Sequence, residues 1–322
     1  MLRYRLVALL SCLLLNACAF VNASLTQPLK PLEETVLEGE GRPKILIVDI
    51  TGIISERERE GSQLSGAKPS MVAQVREALR KAERDGDLAG VILRINSPGG
   101  TVTASDIIHH EIVRFRERKK VPVHACIVGV GASGGYYVAA AADRIVAHPT
   151  AVTGSIGVLV RTFNVQELMG KLGVSEQAIK TGDKKDILSP FRPATDEEVR
   201  LLQGMIDRFQ GRFLDTIIAR PGNRLDRPTL QRLADGRVFS AGEAVQAGLV
   251  DRIGYLDDVI ETLKQERGLD AARVVSYTRP GSYRGTIYSG DASGGGSLLG
   301  MLALDRDALE GLTTAEVLYL WR

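Results

Sequence analysis

The sequence predicts an α/β fold with a mainly parallel sheet covered by helices. From residue 44 onward, short apolar runs alternate with longer amphipathic stretches. Such alternation of strands and helices is typical of parallel sheets with helices on their faces. The chain has 322 residues, of which 44% are apolar, enough for one sizeable core or two small ones.

The elements follow in order along the chain. Strands are predicted at the apolar runs 44–50, 88–95 and 121–128. Helices are predicted at 69–84, 102–119, 195–220, 241–247 and 255–267. Thr195 with Glu198, and Ser240 with Glu243, have the spacing of capping boxes and mark the starts of two of these helices.

Composition divides the chain into four parts. Residues 1–18 are predicted to be an export signal, and 19–42 an extracytoplasmic tether broken by prolines. Residues 43–278 are predicted to form the folded domain. Residues 279–322 are rich in glycine and serine before a short apolar end, which predicts a flexible linker and an apolar C-terminal tail.

The N-terminus predicts export. Arg3 and Arg5 precede an apolar run at 6–15 that is too short to span a bilayer comfortably. The run ends in Leu-Asn-Ala-Cys18, which is similar to a bacterial lipoprotein box and predicts lipidation of Cys18. Cleavage at the A-x-A-like sites 17–19 or 21–23, giving a free periplasmic form, and an uncleaved span remain alternatives. All three place the folded part on the periplasmic side of a membrane.

Charge and metal-binding residues exclude several classes of function. The net charge is +2, from 41 basic and 39 acidic residues, so no nucleic-acid partner is expected. The four histidines are scattered without Cys/His pairing, and neither a metal nor a cofactor is expected. His109 and His110 are predicted to lie on the surface, and His124 and His148 to be packing residues. Cys126, the one cysteine beyond the export segment, is predicted to be a buried thiol.

Ser133 lies in a glycine-rich turn between an apolar run and a helix-forming stretch. The turn fits a hydrolase nucleophile elbow, a dinucleotide-binding loop or a nucleophile turn of another fold. The elbow requires an acid and then a histidine downstream, and only His148 follows. The dinucleotide loop requires an acidic residue about 20 positions later, but 147–159 contains none. A serine without a histidine remains, for which lysine is the alternative base.

A lysine base requires a lowered pKa, and therefore a desolvated setting. The segment 178–190 contains Lys180, Lys184 and Lys185, and by composition alone it is typical of a solvated loop. Lys185 is followed closely by Ile187 and Leu188. We therefore expect Lys185 to be drawn inward and Lys184 to face solvent.

Four motifs occur together and in order: Asn-Ser-Pro-Gly-Gly at 96–100, Gly-Ala-Ser-Gly-Gly-Tyr-Tyr at 131–137, Thr-Gly-Ser-Ile-Gly-Val at 153–158, and Lys-Thr-Gly through Lys-Asp at 180–186. In this order and spacing, over about 44–276, the chain resembles the signal peptide peptidase A family of serine-lysine peptidases. The resemblance implies the ClpP/crotonase-type fold of stacked β-β-α units for the domain at 43–278.

The resemblance also implies roles for individual residues. Ser133 is the expected nucleophile and Lys185 the expected general base. The amides of Gly100 and Gly134 are the expected oxyanion donors, and Ser155 is expected to orient the lysine.

Substrates and assembly are implied in the same way. The expected substrates are released signal peptides or other extended peptides with small or apolar side chains, bound as an added strand beside 100–102. A homo-oligomeric ring is also expected. An acyl-CoA enzyme of the crotonase type and a catalytically inactive scaffold remain alternative functions.

Overall fold

The computed structural model describes residues 29–58, 69–280, 285–289 and 316–321. The strands in these ranges are β1 (Glu33–Glu38), β2 (Lys44–Thr51), β3 (Leu88–Ser97), β4 (Gly99–Thr101), β5 (Val123–Ala132), β6 (Arg144–Ala147), β7 (Val152–Gly154), β8 (Leu159–Arg161), β9 (Val238–Ser240), β10 (Arg252–Ile253), β11 (Arg273–Thr278) and β12 (Glu316–Leu320). The helices are α1 (Met71–Glu83), α2 (Val102–Lys119), α3 (Gly134–Ala139), α4 (Gln166–Lys171), α5 (Asp196–Ile218), α6 (Arg227–Leu233), α7 (Ala241–Gln246) and α8 (Leu256–Arg267).

The main sheet has the strand order β1-β11-β2-β3-β5-β6-β10, and β7 and β9 extend it from β5. All pairs from β11 to β10 are parallel, as is β5 with β7. Antiparallel pairs occur at the margins, where β1 joins β11 and β9 joins β7. The predicted, mainly parallel α/β sheet is confirmed.

Helices cover both faces of this sheet, so its central strands are almost continuously apolar. On one face, α1 contributes Val75, Leu79 and Ala82 to the larger core cluster, together with residues of α2 and α3. On the other face, α8 packs Val259 and Leu263 against residues of β2, β3 and β5. β5 is therefore packed against helices on both faces of the sheet, and Ser133 directly follows its last residue.

A second, three-stranded sheet has the order β4-β12-β8. β12 lies in the middle and pairs antiparallel with both neighbours. The prediction from the sequence places this segment in an apolar tail after a flexible linker, whereas the structure makes it a strand. β1 likewise lies inside the predicted tether but forms the edge strand beside β11.

The helix predictions are confirmed to within a few residues. Both predicted capping boxes are present, with Glu198 bonded back to the Thr195 amide and Glu243 to the Ser240 amide. Cys18 lies outside the described residues. Within the described ranges, no helix is both long enough and apolar enough to cross a membrane.

Candidate active site

Ser133 connects the end of β5 to the start of α3. Its backbone has φ 52° and ψ −116°, a conformation that costs a non-glycine residue about 1–3 kcal/mol. Its amide donates to the Gly154 carbonyl at 2.8 Å, and its carbonyl accepts from the Tyr137 amide at 2.9 Å. The side chain makes no capping hydrogen bond to α3. The fold therefore holds the serine backbone on both sides and leaves the hydroxyl free of a helix-capping role.

Backbone amides surround the space beside Ser133. Gly99 has a φ of 105°, and a Cβ atom there would lie 2.7 Å from the Gly134 amide nitrogen. A Cβ atom at Gly134 would lie 3.1 Å from the Gly100 amide nitrogen. The amides of Gly100 and Gly134, the two predicted oxyanion donors, therefore lie close together. A side chain at Gly99 or Gly134 would fill the space between the backbone segments.

The direction of the Gly100 amide follows from the bonds of its neighbours. The Ile54 amide donates to the Gly99 carbonyl, and the Thr101 amide donates to the Ile54 carbonyl, each at 2.9 Å. Backbone groups alternate between the two sides of a strand, so those of Gly100 face away from Ile54 and toward β12. In the strand register, Gly100 lies opposite Tyr319.

An open cleft of about 510 Å³ lies over Ser133. Ser155 also lines it, with a φ of 48° and an amide that donates to the Arg237 carbonyl at 2.7 Å. Leu320 and Trp321 of the C-terminal segment form part of the wall. The structure thus brings Ser133 and Ser155 to one cleft, and it brings the Gly100 amide close to Gly134, the residue that follows Ser133. The C-terminal residues were missed because their apolar pattern indicates only a tail.

Lys185 does not line this cleft in the described chain. It is exposed, in a turn in which its amide donates to the Gly182 carbonyl. The prediction that Lys185 is drawn inward is therefore wrong for the single chain. Ile187 and Leu188 are half-buried, but no element among the described residues covers the lysine next to them.

The other two lysines of this segment are tied in ion pairs. Lys180 contacts Asp186 at 2.6 Å, and Lys184 contacts Glu197 at 2.6 Å. The hydrogen bond that Lys184 donates to the Glu197 carboxylate raises the pKa of Lys184, which disfavours a neutral amine. Lys184 makes this contact at the surface, with its side chain 39% exposed, in agreement with the prediction that it faces solvent. Among the ion pairs of the described residues, Lys185 has none.

Arg192 holds the lysine segment against the start of α5. Its guanidinium donates to both carboxylate oxygens of Asp186 and to both of Glu198. These bonds lower the pKa of the Asp186 carboxyl, with Lys180 contributing further. The residue directly after Lys185 is thereby fixed, while the lysine itself stays free.

The four histidines do not line the cleft. His110 is exposed as predicted, whereas His109 is wrongly predicted as a surface residue: it packs edge-on against the Tyr137 ring at 5.3 Å. His124 is buried and His148 packs against Tyr255, which confirms both as packing residues.

Cys126 and a second cleft in the described part of the chain give no further candidate for the nucleophile. Cys126 is buried as predicted, and burial raises its pKa to about 12, so it stays a thiol. A cleft of about 580 Å³ lies beside α1, but its lining is mostly basic and aliphatic and includes no serine or cysteine. Among the described residues, no group of His, Cys, Asp and Glu could hold a metal ion.

Comparisons with known proteins identify the chain as related to peptidases. The family model described as Peptidase family S49 matches residues 115–270, and the model described as Clp protease matches residues 60–153. The chain is 34% identical over 245 residues to "Putative signal peptide peptidase SppA" of Enterococcus faecium, an alignment that covers 76% of this chain and 70% of that protein.

Two longer relatives are covered only in part. The chain is 32% identical over 281 residues to "Serine protease SPPA, chloroplastic" of Arabidopsis thaliana, covering 86% of this chain and 40% of that protein. It is 32% identical over 222 residues to "Protease 4" of Haemophilus influenzae, covering 69% of this chain and 34% of that protein.

Fold and matches together define the class as a serine-type peptidase with the α/β ClpP/crotonase-like fold. The chain belongs to peptidase family S49, the signal peptide peptidase A family.

Proposed function

We propose that the chain is an endopeptidase in which Ser133 and Lys185 form the catalytic pair. The observation that carries the proposal is the backbone of Ser133, held at φ 52° beside the Gly134 amide with its hydroxyl unused as a helix cap. Strain of this kind is typical of nucleophiles on strand-to-helix turns.

The chemistry follows from the groups around the serine. The neutral amine of Lys185 accepts the Ser133 proton as the hydroxyl oxygen attacks a peptide carbonyl carbon. The amides of Gly100 and Gly134 donate to the oxyanion, and the protonated lysine gives its proton to the leaving amine. A water molecule, deprotonated by the same lysine, then hydrolyses the acyl-enzyme and regenerates the serine. Ser155, at the cleft wall, orients the lysine amine.

We propose Lys185 as the base because it is the unpaired lysine of its segment. Lys180 and Lys184 would have to break ion pairs of 2.6 Å before either could act. Lys185 also needs desolvation, which the described part of its own chain does not provide, since the residue is exposed.

In this proposal, a second copy of the chain covers Lys185 and desolvates its amine. α4 has no buried residue, and Ile179 is 96% exposed in the segment that leads to the lysines. An apolar surface of this kind is typical of a subunit contact. A ring of copies would bring the lysine segment of one copy to the cleft of the next.

The proposed substrates are released signal peptides or other extended peptides, which fit the open cleft over Ser133. The predicted export segment supports a location of this activity on the periplasmic side of a membrane. Loss of incorporated palmitate in Cys18→Ser would support lipid anchoring, and label retained in that variant would exclude Cys18 as the modified residue.

A serine-reactive fluorophosphonate probe tests the proposed function. The full chain is expected to be labelled at Ser133, as located by mass spectrometry, and Ser133→Ala is expected to lose both label and peptide hydrolysis. Ser240→Ala is the matched control, because Ser240 is exposed and does not line the cleft, and its label on Ser133 is expected to remain. An acyl-CoA enzyme or an inactive scaffold would leave Ser133 unlabelled, and either outcome would overturn the proposal.

A further inference from the structure

The solvent side of α1 carries a row of arginines. Between positions 71 and 84, the exposed residues are Ala73, Arg76, Arg80 and Arg84. They are three or four positions apart and therefore lie on one side of the helix. This arginine row (Arg76, Arg80 and Arg84) presents three cations and no anion to solvent.

The glutamates of α1 are paired with cations from other elements. Glu77 contacts Arg279 at 2.5 Å, and Glu83 contacts Arg118 at 3.6 Å. Both glutamates are half-buried rather than exposed. Since each is balanced by an arginine outside α1, they leave the charge of the arginine row uncompensated.

The members of the row differ in how they are paired. Arg76 contacts Glu111 at 3.7 Å, which is too long for a hydrogen bond. Among the described residues, Arg80 and Arg84 have no ion pair. A guanidinium group binds a phosphate group through two parallel hydrogen bonds. The row is therefore suited to an anionic partner that carries phosphate.

The cleft of about 580 Å³ beside α1 connects this row to the N-terminal segment. Pro31 and Leu32 line it together with the three arginines. The Lys81 ammonium donates to the Leu32 carbonyl at 2.8 Å and so holds the segment against α1. Leu29, which precedes these residues, is 58% exposed. Basic side chains beside an exposed apolar one are typical of a surface that lies at a membrane interface.

The same N-terminal segment leads to the predicted anchor at Cys18, which lies outside the described residues. Residues 19–30 can span at most about 40 Å, because each extended residue adds about 3.3–3.6 Å. An anchored domain therefore begins within about that distance of the bilayer. The predicted export makes a bilayer, rather than a nucleic acid, the anionic partner within reach.

We propose that the arginine row and the cleft beside it bind the phosphate groups of anionic phospholipids and form a docking surface for the membrane. None of the residues that line this cleft lines the cleft over Ser133. The surface therefore holds the domain in one orientation on the bilayer and leaves the proposed catalytic residues uncovered. A tether alone does not fix such an orientation.

Binding of the full chain to vesicles of two compositions tests this surface. The probes are vesicles of phosphatidylcholine alone and of an equal mixture of phosphatidylcholine and phosphatidylglycerol. Sedimentation gives a partition coefficient for each, and the quantity compared is the ratio of the two. The N-terminal segment is the same in every variant, so differences in this ratio report on the arginines. We expect the ratio to fall about fivefold in Arg80→Gln and in Arg84→Gln, and about 25-fold in the double variant.

Arg267→Gln is the matched control. Like Arg80, Arg267 is exposed in the last turn of its helix, but α8 packs on the opposite face of the sheet. We expect its ratio to stay within about twofold of the wild type, because charges far from the bilayer are screened. Glutamine and arginine have similar helix propensities, and circular dichroism checks that each variant folds.

Two results would overturn the proposal. One is an equal ratio in the wild type and the double variant, and the other is an equal fall in Arg267→Gln, which would indicate general charge attraction instead of a defined surface. Labelling of Ser133 by the fluorophosphonate does not depend on these arginines. Failure of the docking surface would therefore leave the proposed function standing, and loss of labelling would leave the vesicle result standing.

Discussion

At the scale of single residues, the site depends on backbone positions that side chains would block. Gly99 has a left-handed φ, and a Cβ atom at Gly100 would lie 1.8 Å from the Ile54 carbonyl oxygen. The motifs predicted the serine turn and the glycines because such conformations have a strong local signal in the sequence. The positions of Lys185 and Tyr319 have no such signal, since burial depends on what packs around a side chain.

Gly134→Ala tests the crowding at the amides. Its Cβ atom would lie 2.4 Å from the Ser105 hydroxyl oxygen, so the α2–α3 contact must shift. We expect a loss of about 1–3 kcal/mol in the free energy of unfolding, measured by urea denaturation, and a fall in kcat of at least about tenfold.

Gly211→Ala in α5 is the control, because a Cβ atom there meets nothing within 4 Å. It is expected to stabilise the protein by about 0.5–1 kcal/mol through helix propensity, with kcat unchanged. If Gly134→Ala and Gly211→Ala changed the free energy of unfolding and kcat in the same way, the space around Gly134 would be large enough for a side chain.

At the scale of elements, the helices were predictable because their signals are local. The α5 capping box lies within four residues, and the bounds of α2 agree with those predicted. β1 and β12 were missed because their strand character comes from distant partners, β11 for β1 and β4 with β8 for β12. No pattern within a short window shows such pairing.

The contact between α2 and α3 makes stability depend on pH through His109. Burial lowers the pKa of His109 to about 4, and nearby Asp106 opposes this shift only in part. Between about pH 6.5 and 4, the unfolded chain therefore binds a proton that the folded chain does not. The free energy of unfolding falls as the pH falls through this window, by up to about 3 kcal/mol from this group.

His109→Phe is expected to keep the ring contact with Tyr137 and to remove this part of the pH dependence. Urea unfolding at pH 7 and pH 4.5 measures it, with the exposed His110→Gln as the control. If His109→Phe and the wild type lose the same stability between these pH values, His109 is not the group responsible.

At the scale of the whole molecule, the described part of a single chain does not bring the proposed catalytic pair together. Ser133 is 1% exposed at the cleft, whereas Lys185 faces solvent beside an uncovered apolar segment. The fold of one chain positions the nucleophile and the amides proposed to bind the oxyanion. In our proposal, assembly of several copies positions the base. The sequence alone gave no basis for choosing between a base from the same chain and one from a neighbour.

Mixing two inactive variants tests this central proposal most directly. Ser133→Ala lacks the nucleophile and Lys185→Ala lacks the base, so each alone is expected to have no peptide hydrolysis, whereas Lys184→Ala keeps most of it. After subunit exchange of an equal mixture, about one quarter of the contacts would combine an intact serine with an intact lysine, and hydrolysis should return to about that fraction. A mixture that stays inactive would place both residues in one chain, and full activity in Lys185→Ala alone would contradict the serine-lysine pair itself.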